Sequence, residues 1–247
     1  MKAMILAAGT GSRLQPLTDL MPKALIEVNG ICMLEHQINY LMHFGVDEII
    51  INIHHYPDQI KNFINSKEYK IRIEFSDETD QLMETGGGLK KASWFFDDDK
   101  PFILIGVDIF TDLNLTDVYH YHTKHSALAT LPVKKRNSTR DFLVDKKNII
   151  CGWRNNLTGE EIINKNSGLQ LENYGFSVVH VINNEIFNLI NETGPFTMTS
   201  LYLRLMLEHK INAYIHNQDE WFEFGRLENF KNDEMIKKAA RIQHLFL

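Results

Sequence analysis

The sequence predicts an α/β fold, with a mostly parallel sheet in its first half and an antiparallel-rich second lobe. Three observations lead there. Short apolar runs alternate with amphipathic segments through the first half, a loop of small residues follows the opening apolar run, and past residue 126 brief strand-like runs dominate. Alternating strand and helix packs helices on both faces of a parallel sheet. With 247 residues, 44% hydrophobic and 23% charged, the chain has enough apolar side chains for a sizeable core.

The elements follow in order. Residues 3–7 are apolar and run into glycine, as a buried parallel strand does. Residues 33–44 put Leu34, Ile38, Leu41 and Met42 on one helical stripe, and Gly45 follows as a cap. Residues 48–53 read as a second buried strand, and 57–64 as a helix with proline in its first turn. Ile71, Ile73 and Phe75 alternate as a third strand. Residues 87–96 read as a helix, and 101–107 as a further buried strand that ends at Asp108. Beyond it, 127–133, 141–145, 148–153 and 174–181 read as strands, 184–190 and 198–208 as helices, 213–216 and 221–224 as closing strands, and 232–245 as a terminal helix. Phe95, Phe96, Phe102 and Phe110 are expected in the core, and His120, His122 and His125 on a solvated helix face.

Composition excludes several classes of function. A formal charge of −6, from 26 basic and 32 acidic residues, leaves no bulk positive face for nucleic acid. Cys32 and Cys151 form no CxxC pair, so neither a disulfide framework nor a zinc site is expected. The opening residues lack a secretory pattern, and no apolar run approaches the roughly 20 residues that span a bilayer. A cytoplasmic protein without membrane or nucleic-acid partners is expected. No Ser-His-Asp order for acyl transfer stands out.

The loop after the first strand reads Leu6-Ala7-Ala8-Gly9-Thr10-Gly11-Ser12-Arg13-Leu14, with Pro22-Lys23 beyond it. Small residues at the C-terminal end of a strand let backbone N–H groups approach an anion. No Gly-Lys-Ser/Thr completes a P-loop, and Leu14 stands where a dinucleotide fingerprint needs its third glycine. Arg13 and Lys23 lie in a stretch with one acid, Asp19. Cations beside a bare backbone cradle fit a polyphosphate whose charge grows during reaction.

The whole stretch LAAGTGSRLQPLTDLMPKALIEVNG resembles the signature LAAGxGxRLxPLTxxxPKxLxxVxG of the sugar-1-phosphate nucleotidyltransferases. The resemblance implies a Rossmann-like sheet of the nucleotide-diphospho-sugar transferase type with a sugar-binding lobe, formed by residues 1–247 as one domain. It implies that a sugar 1-phosphate attacks the α-phosphorus of an NTP, UTP first and GTP next, leaving an NDP-sugar and pyrophosphate. Leu6, Ala7, Ala8, Gly9, Thr10 and Gly11 would hold the nucleotide, and Arg13 and Lys23 would stabilise the reacting phosphates. In QLMETGGGLKKA, Gln81, Gly86 and Gly87 would border the base and Glu84 would meet the sugar. This segment is similar to those of N-acetylmuramate-1-phosphate uridylyltransferases and mannose-1-phosphate guanylyltransferase-like proteins.

Mg²⁺ is the implied cofactor. Asp108, at the end of a buried strand, is its expected ligand. The family's late WxDxGTxxxL motif is matched by Trp221-Phe222-Glu223-Phe224-Gly225-Arg226-Leu227, which makes Glu223 the second ligand in place of Asp. In Glu172-Asn173-Tyr174-Gly175-Phe176, the residues Glu172, Asn173 and Gly175 would surround sugar hydroxyls. The family's Glu-Lys-Pro is absent, leaving Arg140 and Arg154 as alternatives for the acceptor phosphate. A monomer or homodimer is expected. The rival readings are a phosphocholine-type cytidylyltransferase and a non-catalytic nucleotide-sugar-binding protein.

Overall fold

The computed structural model describes residues 1–164 and 170–246. The first half comprises β1 (Lys2–Leu6), a small hairpin of β2 (Glu27–Val28) and β3 (Ile31–Cys32), α1 (Met33–His43), β4 (Glu48–Ile53), α2 (Pro57–Asn65), β5 (Arg72–Asp77), α3 (Glu84–Lys91), β6 (Phe102–Gly106), β7 (Ile109–Thr111) and α4 (Leu115–His125). The second half comprises β8 (Ala129–Lys134), β9 (Arg140–Val144), β10 (Ile150–Asn155), β11 (Glu161–Ile163), β12 (Glu172–Phe176), β13 (Val179–Ile182), α5 (Ile186–Leu189), α6 (Met198–Leu205), β14 (Ile211–Ile215), β15 (Trp221–Glu223) and α7 (Asp233–Leu245).

One large sheet runs in the order β11-β10-β9-β12-β8-β13-β6-β1-β4-β5, with β14 also on β8. Strands β6, β1, β4 and β5 are parallel; β13 through β11 pair antiparallel, while β14 joins β8 in parallel. The α/β expectation is met, with the parallel strands in the first half and the antiparallel ones in the lobe. Side chains alternate across the sheet. Ile5 and Ile51 pack with Leu34, Ile38 and Ile242 on one face; Met4 and Leu104 pack with Phe142, Leu201 and Tyr202 on the other. Burial on both faces explains why β1, β4 and β6 are predominantly apolar, with Asn52 the polar exception inside β4.

Helix ends follow local chemistry. Asn232 caps α7 by accepting the Met235 N–H at 3.1 Å. Gly45, with φ +78°, turns the chain out of α1 as expected. Expected helix 87–96 is instead α3, starting at Glu84, followed by a separate 3₁₀ turn at Ser93–Phe95.

Two expectations need correction. Residues 174–181 are not one strand: β12 and β13 are separated at Ser177 and Val178, where Val178 has φ +56°. Both halves lie on the same edge of β8, but β12 turns its other edge to β9 and β13 to β6. The break is the joint at which the lobe meets the parallel sheet. His122 is not on a solvated face; it is 1% exposed, with Nδ1 2.9 Å from Thr130 Oγ1 and Nε2 3.1 Å from Asn183 Oδ1. A polar partner on each ring nitrogen makes that burial tolerable. His120 stays exposed. No described helix is long and apolar enough to cross a membrane.

Candidate active site

Parallel pairing sets Leu6 at the end of β1 beside Asn52 of β4 and Gly106 of β6. The glycine loop and Asp108 therefore leave the sheet side by side, at the C-terminal strand ends where α/β sheets bind ligands. Gly11 accepts the Leu14 N–H at 2.8 Å and the Thr18 hydroxyl at 3.0 Å. Its φ is +66°, and a Cβ there would lie 2.7 Å from Thr18 Cγ2, so glycine is required on both counts. Gly9 and Thr10 are exposed, and no atom lies within 4 Å of where a Gly9 Cβ would be.

A buried relay supports the loop from below. Asn52 Oδ1 accepts the N–H groups of Ala7 at 2.7 Å and Ala8 at 3.3 Å, and Asn52 Nδ2 donates to Glu78 Oε1 at 2.8 Å. Glu78, with no exposed surface, also accepts the Met83 N–H at 3.0 Å, just before α3. Two loop N–H groups thus belong to Asn52. Gly86 and Gly87 are likewise committed: both N–H groups donate to the Phe196 carbonyl, at 2.8 and 3.1 Å. A side chain at Gly86 would strike the Phe196 ring, and one at Gly87 would come within 2.9 Å of the Gly194 carbonyl. These glycines let α3 lie against 194–196. Gln81 and Glu84 are exposed at its start, Glu84 with φ +61°.

The charged centre forms where β7 pairs with β15. Glu223 lies opposite Ile109, and the Phe224 N–H donates to the Asp108 carbonyl at 2.9 Å. Lys23 Nζ is 2.5 Å from Asp108 Oδ2, both side chains about 15% exposed. A Cβ on Gly225 would sit 2.8 Å from Asp108 Oδ2, 3.3 Å from Arg13 Nη2 and 3.7 Å from Lys23 Nζ. Arg13, Lys23 and Asp108, far apart in sequence, converge on this one glycine.

A cleft of about 840 Å³ lies beside it, lined among others by Arg13, Glu223, Arg226, Arg136, Arg140 and Trp153. Of the sugar-site expectations, Glu172 and Asn173 lie outside its lining. Glu172 is paired with Lys135 at 3.1 Å and accepts from the Tyr174 hydroxyl, which together hold its carboxyl below the usual range. Gly175 lies directly against Arg136. Arg140 is exposed in the cleft wall, whereas Arg154 is outside it, paired with Glu161 at 3.2 Å.

Sequence reasoning missed Asn52, Glu78 and Arg136. It also missed a trio of two buried residues and a half-buried acid: Ser177 Oγ is 2.6 Å from His216 Nε2, and His216 Nδ1 is 3.4 Å from Asp219 Oδ2. The trio resembles a nucleophilic triad, but Ser177 has no exposed surface, so no substrate reaches its hydroxyl. Burial, helped by Lys134 and Arg136, pushes His216 down to about 4, keeping it neutral.

The family model described as nucleotidyl transferase matches residues 2–237. Mannose-1-phosphate guanyltransferase of Gibberella zeae is 38% identical over 138 residues, covering 55% of this chain and 38% of that protein. N-acetylmuramate alpha-1-phosphate uridylyltransferase of Caulobacter vibrioides is 42% identical over 93 residues, covering 36% of this chain and 38% of that protein. The chain thus matches well under half the length of these curated relatives. Among solved structures, the inositol-1-phosphate CTP transferase from T. maritima superposes with a TM-score of 0.78 at 16% identity, covering 98% of this chain and 96% of that one. A UDP-glucose pyrophosphorylase complexed with UDP-glucose gives 0.76 at 14% identity, covering 97% and 98%. These likenesses establish the fold.

Proposed function

Because the chain belongs to the nucleotidyl transferase family, we propose that residues 1–247 act as one domain joining an NTP to a sugar 1-phosphate. The products are an NDP-sugar and pyrophosphate. The observation that carries this reading is the convergence of Arg13, Lys23 and Asp108 on Gly225, at the mouth of an open cleft and beside the glycine loop.

The chemistry follows from charge. A phosphate oxygen of the sugar 1-phosphate attacks the α-phosphorus of the NTP. A new P–O bond forms, the bond to the bridging oxygen of the β-phosphate breaks, and pyrophosphate leaves with that electron pair. Both reactants are anions, so positioning and charge stabilisation do most of the work. Arg13 and Lys23 supply fixed positive charge at the reacting phosphates. The Lys23–Asp108 ion pair holds the ammonium near Arg13 at Gly225 before a nucleotide arrives.

Among the described residues, no group of three or more His, Cys, Asp or Glu side chains is gathered to hold a metal alone. Magnesium is ordinarily held by one or two carboxylates with phosphate oxygens and water. Asp108, beside Lys23 and Arg13 at Gly225, offers one such carboxylate; Glu223, opposite Ile109 on the adjoining strand, lines the cleft instead. Bound there, Mg²⁺ would neutralise part of the triphosphate charge.

The test is pyrophosphate release from four NTPs against a panel of acceptors, with and without Mg²⁺. The relatives' names put UTP with N-acetylmuramate 1-phosphate and GTP with mannose 1-phosphate first, and CTP with phosphocholine completes the panel. We expect turnover with one sugar 1-phosphate, lost on chelation. Nucleotide binding without turnover of any pair would favour a sensor and overturn the enzymatic reading.

A further inference from the structure

The basic residues around the cleft differ in what already occupies them. Lys134 Nζ donates to the carbonyls of Asn217 at 2.7 Å and Asp219 at 2.5 Å. Lys135 is paired with Glu172 at 3.1 Å, and Arg154 with Glu161 at 3.2 Å. Arg226 has Glu228 at 3.8 Å. Arg13, Arg136 and Arg140 line the cleft with no carboxylate at ion-pair distance among the described residues, and of these Arg13 and Arg140 are exposed whereas Arg136 is partly buried.

Its surroundings form a socket. The Arg136 guanidinium carbon lies 4.2 Å from the centre of the Trp221 ring, and Nη2 donates to the Phe176 carbonyl at 2.8 Å. Gly175 forms the floor, where a Cβ would lie 2.8 Å from Nε and 2.9 Å from Cγ. Trp221 is itself fixed, its Nε1–H donating to the Ser177 carbonyl at 2.9 Å. Arg136 Nε is buried without a partner. Burial lowers the Arg136 pKa against the longer-range pull of Glu223 and Asp141, yet an arginine keeps its charge at neutral pH. A partly desolvated, oriented guanidinium without a carboxylate partner costs free energy until an anion arrives. The planar fork suits a phosphate.

Resting on the function proposed above, we propose that Arg136 binds the phosphate of the acceptor sugar 1-phosphate, in the cleft that Arg13 also lines. This assigns to Arg136 the acceptor charge for which the sequence offered Arg140 and Arg154. Arg13 lines the same cleft and also reaches the charged centre at Gly225, so the cleft that takes the acceptor phosphate at Arg136 adjoins the cations assigned to the nucleotide phosphates.

The experiment uses the full chain with the best NTP and sugar 1-phosphate from the panel. Arg136→Gln is expected to raise the acceptor KM roughly 10- to 100-fold, the loss of a charged hydrogen bond, leaving the NTP KM unchanged. Arg136→Lys should recover part of that loss. Gly175→Ala, which crowds the guanidinium without removing it, should raise the same KM less. As a direct reading, titration of wild type with mannose 1-phosphate or N-acetylmuramate 1-phosphate should shift tryptophan emission for the acceptor that turns over. Neither the unphosphorylated sugar nor the Arg136→Gln protein should give that shift. An unchanged acceptor KM in folded Arg136→Gln, or a parallel rise of both KM values with a lowered thermal midpoint, would overturn the assignment. If Arg136→Gln does not fold, an unchanged acceptor KM in Gly175→Ala overturns it. Wild-type protein that turns over no pair would instead bring down the functional reading beneath it.

Discussion

Gly225 contributes space for chemistry carried by its neighbours. A methyl group there would stand 2.8 Å from Asp108 Oδ2 and 3.3 Å from Arg13 Nη2, so both charged groups would have to move. Displacing reacting groups by an ångström can cost about 100-fold in rate, and we expect Gly225→Ala to lose about that in kcat with little change in thermal midpoint. Asp108→Asn keeps the shape and removes the charge. Its turnover should fall to background at saturating Mg²⁺, while the circular dichroism spectrum stays that of wild type; normal pyrophosphate release would refute the role given to this carboxylate. Arg13, Lys23 and Asp108 were legible in the sequence because each sits at a fixed offset in a motif or at a strand end. Arg136 was not. In KKRNSTR nothing marks one base among four, and its distinction comes from Gly175 and Trp221, which only the folded chain brings to it.

Asn52 ties three segments together: β4 carries it, the loop after β1 donates to it, and it donates to Glu78 ahead of α3. Replacing it with alanine would strand two backbone N–H groups and remove a donor from a fully buried carboxylate. Each buried group left unsatisfied costs about 1–3 kcal/mol, so Asn52→Ala should lose roughly 2–4 kcal/mol by urea unfolding and raise the NTP KM. A stable variant with an unchanged NTP KM would mean that the loop holds its shape without the relay. Elements with a single environment along their length were the readable ones. β6 is buried from end to end and β1 and β4 at all but one terminal residue each, and α1 and α7 keep one apolar stripe. The run 174–181 misled because its hydrophobicity is continuous while its neighbours change, from β9 to β6 across Val178. Hydrophobic pattern reports burial; it does not report which strand supplies the hydrogen bonds. The glycines of α3, read as ligand contacts, also permit the close approach of 194–196, which no pattern in the sequence announces.

Buried imidazoles are distributed through the molecule, and together they set its response to acid. His36 stacks on Phe110 with centroids 4.1 Å apart in one core, and His180 meets the Tyr202 hydroxyl at 2.8 Å in the other. Burial brings both down to about 3 and, with Lys134 and Arg136, brings His216 to about 4; burial lowers His122 as well. In the unfolded chain these residues titrate near 6.5. The unfolded state therefore binds more protons below that value. The stability contributed by the neutral rings is complete above pH 6.5 and is lost as pH falls toward 3–4. The carboxylate Asp77, held to about 2 chiefly by Thr79, adds its loss only below the ordinary carboxylate range. Net charge works the other way: the formal −6 at pH 7 shrinks toward the isoelectric point near 6.0, which eases self-repulsion. The two effects predict opposite signs between pH 7.5 and 5.5, and the histidine effect should dominate, at about 1 kcal/mol per buried ring at the lower pH. The urea midpoint should therefore fall on acidification. His36→Phe keeps the stack on Phe110 and removes a nitrogen, Nε2, that has no partner, so it should shrink the pH difference by about 1 kcal/mol. A midpoint that rises toward pH 6, or a His36→Phe protein with the wild-type pH slope, would show that charge relief governs stability and that these rings reach water as the protein is acidified.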